Sequence, residues 1–184
     1  MTIAGFEGVL AAAQEGSEWA WDILVRDIAP RLVGFFRTRG VFDPEGLAGD
    51  VFIDLARNLS TFSGDESGFR SWVFVIAHRR MSDAWRKQQR RPTETPIGLA
   101  AEPVETSPSA ENVALESIGS EEALHMLEIL TPDQRDVVGL RIIAGLSLEE
   151  TATVVGKPIG AVKALQRRGL ASLRREIAQE EVSR

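Results

Sequence analysis

The chain has no cysteine among its 184 residues. A disulfide framework, a thiolate metal site and a cysteine nucleophile are therefore excluded. Its two histidines, His78 and His125, are far apart and lack the spacing of a metal-ligand pair. No catalytic residue, metal ion or cofactor is predicted.

The N-terminal segment lacks basic residues before Arg26, and no long apolar run occurs anywhere in the chain. A signal peptide needs a basic start before its apolar stretch, and a membrane span needs about 20 apolar residues. The sequence therefore predicts a cytoplasmic protein without membrane insertion. The length is typical of one or two domains.

Basic residues are also missing from 92–131, which carries eight acidic side chains. Residues 1–91 have no net charge and residues 132–184 have a net charge of +2, so the overall charge of −6 comes from the middle. A free-standing DNA-binding protein is usually basic. This distribution indicates that the chain binds DNA only weakly by itself and needs a partner to hold it there.

Helical periodicity and turn residues predict an all-α fold. Two small helical domains, 1–91 and 111–184, are joined by a flexible acidic linker, 92–110, that is rich in proline and threonine. In the first domain, we expect one helix after Ser17 with Trp19 and Ile23 on its apolar face, and a second after Asp43. A break at 63–68 precedes a third helix over 69–90. In the second domain, helices are expected over about 111–130 and after Thr131.

The segment 131–175 predicts a helix-turn-helix. Ser147 and Glu150 form a capping box, and Gly156 suits the turn that ends the first helix. An apolar stripe on the second helix is expected to include Val162, Leu165, Gly169, Leu173 and Ile177. Its opposite face carries Lys163, Gln166, Arg167, Arg168 and Arg174. Such a helix fits the DNA major groove. The alternative is an ordinary helical hairpin with a solvated basic face.

The predicted helix over 69–90 interleaves cations with Trp72 and Trp85. Single-stranded nucleic acid is bound by this mixture, because cations contact phosphates and bases stack on aromatic rings. The alternative places the tryptophans in the core, which we favour for Trp72, and leaves the arginines merely solvated. Five cations on one helix would otherwise repel each other, which favours a functional role.

Taken together, the two halves resemble bacterial RNA polymerase sigma factors of the small extracytoplasmic-function (ECF, group IV) subgroup. FRSWVFVIAHRRMSDAWRKQQRR resembles the promoter-melting segment, PEGLAGDVFIDLARNLSTF the core-polymerase-binding helix, and 131–175 the −35 helix-turn-helix. The similarity covers roughly 17–91 and 111–176. It implies a sigma factor that binds core RNA polymerase, recognises the −35 element of promoter DNA and melts the −10 element. An anti-sigma factor is left open as a further partner.

The resemblance also implies roles for individual residues. The core polymerase would be bound by Asp50, Val51, Phe52, Asp54, Leu55 and Arg57. The −10 element would be contacted by Phe62, Phe69, Arg79, Arg80, Asp83, Arg86 and Lys87, with a flipped base held in the loop over 63–68. The −35 element would be contacted by Lys163, Gln166, Arg167 and Arg168. The alternative interpretations are an ordinary amphipathic core helix for the residues assigned to polymerase and a plain glycine-rich turn for the loop.

Other functions are weighed against this one. A stand-alone helix-turn-helix regulator that binds duplex operators explains the C-terminal half but leaves the helix over 69–90 without a role. An enzyme is disfavoured because no nucleophile motif, phosphate-binding loop or metal cluster occurs. A decoy that docks on polymerase without opening DNA is the third alternative. The acidic linker is either a solvated tether or a nucleic-acid mimic in the polymerase channel.

Overall fold

The computed structural model describes residues 3–89 and 121–182. Within these two ranges every regular element is helical, as predicted, and there is no strand. The acidic linker and the start of the helix expected from residue 111 lie outside the described residues. The helices are α1 (Phe6–Gln14), α2 (Glu18–Thr38), α3 (Pro44–Asn58), α4 (Glu66–Gln89), α5 (Glu121–Glu128), α6 (Pro132–Ile142), α7 (Leu148–Val155) and α8 (Ile159–Val182), with a 3₁₀ turn over Leu59–Thr61.

The N-terminal domain is built from α1 to α4 around an apolar core. Helix α2 supplies its centre, because Leu24, Ile28 and Leu32 are buried along one face. Helix α1, which the sequence analysis did not predict, adds a buried face of its own. The apolar face predicted for α2 was wrong at its start, since Trp19 is 56% exposed and Ile23 is 38% exposed. The core-facing stripe instead begins at Ala20, which is fully buried, and continues through Leu24.

Two helix starts in this domain follow from their capping residues. Asp43 caps α3, because its carboxylate accepts a hydrogen bond from the Gly46 amide at 2.8 Å. Asp65 accepts from the Gly68 amide in the same way, also at 2.8 Å. Such caps satisfy amide groups that have no partner within the helix. Helix α4 consequently begins at Glu66, so the predicted break ends three residues earlier than expected.

The C-terminal domain contains the predicted helix-turn-helix in α7 and α8. The Ser147 hydroxyl accepts from the Glu150 amide, and the Glu150 carboxylate accepts from the Ser147 amide, which confirms the capping box. Gly156 ends α7 in the left-handed conformation with φ of 64°. Gly169 lets α8 approach α6, since a Cβ there would lie 3.0 Å from a Val138 methyl group. The apolar stripe of α8 ends before Ile177, which is 44% exposed.

The two domains pack against each other. Helix α4 lies on α7, and α2 contacts both α5 and α6. Side chains of α6, α7 and the turn between them join the apolar cluster of the N-terminal domain: Leu140, Ala144, Leu146 and Val154. This contact places the first helix of the helix-turn-helix beside the basic helix of the other domain.

Candidate nucleic-acid interface

Helix α8 presents the cationic face expected of a recognition helix. Lys163, Arg167 and Arg168 are exposed, and Gln166 is half-buried. Beneath them, Val162 is fully buried and packs in an apolar cluster with Val137, Ala152 and Leu165. The capped α7 and its turn glycine hold this helix on the domain core. The N-terminal half of α8 is therefore a rigid surface from which side chains can reach base edges and phosphates.

Helix α4 carries a second polar face. Arg79, Asp83, Arg86 and Lys87 are exposed, and Arg86 forms an ion pair with Asp83 at 2.9 Å. Since that pair is solvated, it contributes little to stability and leaves Arg86 able to exchange partners. These four side chains are available to a nucleic-acid strand.

Arg80 is placed differently from its neighbours. Its Nε and Nη2 atoms donate to the two carboxylate oxygens of Asp54 on α3, each at 2.5 Å. These hydrogen bonds lower the pKa of Asp54 and raise that of Arg80. Two residues assigned by resemblance to different partners, DNA and polymerase, are thus paired with each other. In this structure the ion pair holds α4 against α3.

An aromatic cluster lies where the 3₁₀ turn leads into α4. Phe62 is half-buried and stacks on Trp72 with ring centroids 5.1 Å apart. Phe69 packs edge-on against Phe62 at 5.6 Å but is only 1% exposed. Phe62 and Trp72 therefore keep part of their surface accessible to solvent, whereas Phe69 supports them from the core. Trp72, for which a core role was favoured, is half-buried: part of its ring packs against the core and part is accessible to solvent.

The α3 residues assigned to polymerase divide into two groups. Val51 and Leu55 are essentially buried and belong to the core, which agrees with the alternative interpretation of an amphipathic helix. Asp50 and Arg57 are exposed, whereas Phe52 and Asp54 are half-buried. Ile53 was missed by the sequence analysis, although it is 49% exposed. Its position three residues after Asp50 was the available signal, because that spacing places both on one helix face.

Three further residues that sequence reasoning missed meet between the domains. Arg39, at the end of α2, is 8% exposed, and its Nε lies 2.7 Å from the Asp136 carboxylate on α6. Burial lowers the pKa of Arg39, and the Asp136 charge opposes that shift. His78 Nε2 lies 3.4 Å from the other oxygen of Asp136. No local pattern links these residues, so the sequence offered no signal for them.

A groove of about 450 Å³ separates α4 from the end of α7. One wall contains Arg79, Asp83 and Arg86, and the other runs from Thr153 to Gly156. Across residues 3–89 and 121–182, no cluster of three or more His, Asp or Glu side chains is arranged to hold a metal ion. No helix in this part of the chain is long and apolar enough to span a bilayer.

Comparisons with known proteins agree with this geometry. Residues 24–91 match the Sigma-70 region 2 family, and residues 126–175 match the Sigma-70 region 4 family. The ECF RNA polymerase sigma factor SigD of Mycobacterium tuberculosis is 31% identical over 96% of this chain and 87% of that protein. The ECF RNA polymerase sigma factor BldN of Streptomyces coelicolor is 34% identical over 77% of this chain, which spans about half (53%) of that protein.

A solved structure of CnrH in complex with the cytosolic domain of CnrY has a similar fold. It matches with a TM-score of 0.64 and 23% identity, over 93% of this chain and 96% of that chain.

Proposed function

We propose, for a chain that belongs to the extracytoplasmic-function family of RNA polymerase sigma factors, a division of labour among three surfaces. As a sigma factor, it binds core RNA polymerase, directs initiation at specific promoters and performs no covalent chemistry. The observation that carries the proposal is the presence of two separate cationic helix faces, on α4 and α8. We further infer that the chain acts in the cytoplasm, where polymerase and promoters are found.

The −35 element is assigned to α8. Lys163, Arg167 and Arg168 supply positive charge for phosphates and guanine edges, and Gln166 is placed to hydrogen-bond a base edge. The burial of Val162 and Leu165 supports this assignment, because it fixes the rotation of the helix about its axis. A fixed rotation lets a small number of side chains discriminate between sequences.

The −10 element is assigned to the polar face of α4 and to the Phe62–Trp72 stack. Opening a base pair costs a few kcal/mol, which capture of the unstacked base offsets. Stacking on an aromatic side chain contributes about 1–3 kcal/mol per base. Arg79, Arg86 and Lys87 would hold the phosphates of the same strand. Melting by this surface is therefore an effect of binding.

Polymerase docking is assigned to the exposed side of α3, formed by Asp50, Ile53 and Arg57. An exposed isoleucine between charged neighbours is a small apolar centre with a polar rim, which is the usual composition of a protein interface. This surface faces away from the two buried residues of the same helix, Val51 and Leu55. Binding there leaves the domain core undisturbed.

The test is transcription in vitro with purified core polymerase on a library of promoter fragments. We expect specific transcripts only when both proteins are present; binding to duplex operators with no effect of polymerase would instead favour a stand-alone regulator. Replacing Arg167 and Arg168 with Ala should abolish protection of the −35 element but keep polymerase association. Arg175→Ala, almost two turns further along α8, is the matched control. Loss of polymerase association in the Arg167/Arg168 variant would contradict the assignment.

A further inference from the structure

We propose that Ile159, the first residue of α8, reads a thymine of the −35 element by contact with the C5-methyl group of that base. This inference rests on the proposed assignment of α8 to the −35 element. It adds an apolar contact to the polar contacts assigned to Lys163, Gln166 and Arg167. No role was predicted for Ile159 from the sequence.

The first turn of α8 carries no side chain that can form a hydrogen bond. It consists of Ile159, Gly160 and Ala161, and it is followed by the buried Val162. Gly160 and Ala161 are exposed, and a Cβ on Gly160 would meet no other part of the protein within 4 Å. The N-terminal residues of a recognition helix are those that contact base edges. Any side-chain contact that this turn makes with a base is therefore apolar.

Ile159 lies at the edge of the polar face that is assigned to DNA. It is 38% exposed, and the apolar cluster beneath α8 includes Val162 and Leu165 but not Ile159. Lys163 follows it after four residues and Gln166 after three more, which places all three on one side of the helix. A base that approaches Lys163 or Gln166 therefore has a neighbour within reach of Ile159.

The turn before α8 is fixed, so Ile159 has a defined position. The Lys157 amide donates to the Ala152 carbonyl at 3.1 Å, and its Nζ atom forms an ion pair with Asp133 at 3.0 Å. Pro158 follows, and its ring fixes the backbone angle φ immediately before Ile159. These contacts hold the start of α8 against α6 and α7. A side chain held in this way can distinguish the presence of a single methyl group from its absence.

Thymine is the base that presents an apolar group in the major groove. Its C5-methyl group projects there, whereas adenine, guanine and cytosine present hydrogen-bond donors and acceptors. Isoleucine cannot form hydrogen bonds with those groups, and covering them without partners costs free energy. Contact with the methyl group instead removes apolar surface of both molecules from water. Ile159 therefore favours thymine over the other three bases.

The geometry of α8 also limits where this thymine lies. Seven residues of α-helix, the separation of Ile159 from Gln166, span about 10 Å. Successive base pairs are about 3.4 Å apart. The thymine should therefore lie within about three base pairs of the position at which Gln166→Ala relaxes specificity. Either strand can supply it, because both present their thymine methyl groups in the major groove.

The test removes the methyl group from the DNA and the side chain from the protein. Holoenzyme assembled from this chain and core polymerase would bind the −35 duplex selected from the promoter library, with each thymine replaced in turn by uracil, which lacks only the methyl group. We expect one replacement in the range given above to weaken binding about fourfold, the factor that corresponds to burial of one methyl group. Ile159→Ala should weaken binding to the thymine duplex by about the same factor and should abolish the effect of uracil.

Ile177→Ala is the matched control. Ile177 is 44% exposed and lies about five turns further along the same side of α8, beyond the half assigned to DNA. This variant should keep the fourfold effect of uracil. Because thymine and uracil duplexes are compared within each variant, a change in the amount of folded protein affects both measurements equally.

Three results would overturn the proposal. The first is a −35 element without thymine in the range given above, and the second is uracil without effect at every thymine there. The third is an effect of uracil that persists in Ile159→Ala. A parent holoenzyme that fails to bind any −35 duplex would instead overturn the proposed function, so the two failures are distinguishable.

Discussion

The ion pair between Arg80 and Asp54 is expected to hold α4 on α3, and its contribution can be measured. Its geometry is bidentate, with both distances 2.5 Å, but the two side chains are 38% and 22% exposed. Exposed pairs contribute about 0.2–1 kcal/mol, whereas hydrogen bonds to charged groups contribute about 1.5–3 kcal/mol when they are well protected. Solvent screening at this exposure places the coupling near the lower range, at about 1 kcal/mol.

A double-mutant cycle isolates this coupling. Asp54→Asn, Arg80→Gln and the combined variant would be unfolded in urea at pH 7, with tryptophan fluorescence as the signal. For a slope of about 2 kcal/mol per molar urea, a coupling of 1 kcal/mol corresponds to about 0.5 M in the midpoint. Arg79→Gln, on the neighbouring exposed position, should leave the midpoint unchanged. A coupling of zero at pH 7 would refute the structural role assigned to Arg80.

The pH dependence of the coupling has a definite sign. The hydrogen bonds from Arg80 lower the pKa of Asp54 in the folded state below its ordinary value of 3.8. The pair therefore contributes fully above that ordinary value and loses its contribution as the pH falls through the lowered pKa. We expect a constant coupling from pH 7 to about pH 5 and a decline only below about pH 4. A coupling that grows on acidification would contradict this mechanism.

Three further predictions concern the other surfaces. Asp50→Arg should weaken core polymerase binding by about tenfold, or 1.4 kcal/mol, in a pull-down titration, whereas Asp22→Arg, at an exposed position of α2, should not; equal effects would remove the α3 assignment. Lys163→Ala should reduce the dependence of log affinity for the −35 duplex on log salt by about 0.9, the value for one phosphate contact; an unchanged slope would show that Lys163 contacts no phosphate. Ser147→Ala should lower the free energy of unfolding by about 1 kcal/mol through loss of the helix cap, and a urea midpoint equal to that of the parent chain would show that the capping box contributes nothing.

The elements that could be predicted from sequence are those with local signals. Ser147 and Glu150 are three residues apart, and Gly156 follows the helix that they start, so the helix-turn-helix was visible within ten residues. Helix α1, which was not predicted, has the regular apolar spacing of Phe6, Val9, Leu10 and Ala13. It begins after Gly5, which has a positive φ and provides no side-chain cap. Its N-terminus therefore lacks the capping residue that marks helix starts such as those of α3 and α7.

The contacts that could not be predicted are those between residues distant in sequence. Arg80 and Asp54 are 26 residues apart, and their pairing depends on how α3 and α4 cross. Arg39 and Asp136 meet only because the two domains dock, and no local sequence pattern links them. Family resemblance assigned Phe69 to DNA and Leu55 to polymerase, but burial places both in the core. Resemblance identifies a surface, whereas packing decides which of its side chains are accessible.

The apolar cluster shared by the two domains also affects the solubility of the protein before it binds polymerase. Leu140, Leu146 and Val154 would become exposed to solvent if the two domains separated, because their buried neighbours include side chains of the N-terminal domain. Large exposed apolar patches on soluble proteins promote aggregation. Docking of the two domains therefore keeps this apolar surface buried in the protein that is not bound to polymerase, which reduces its tendency to aggregate.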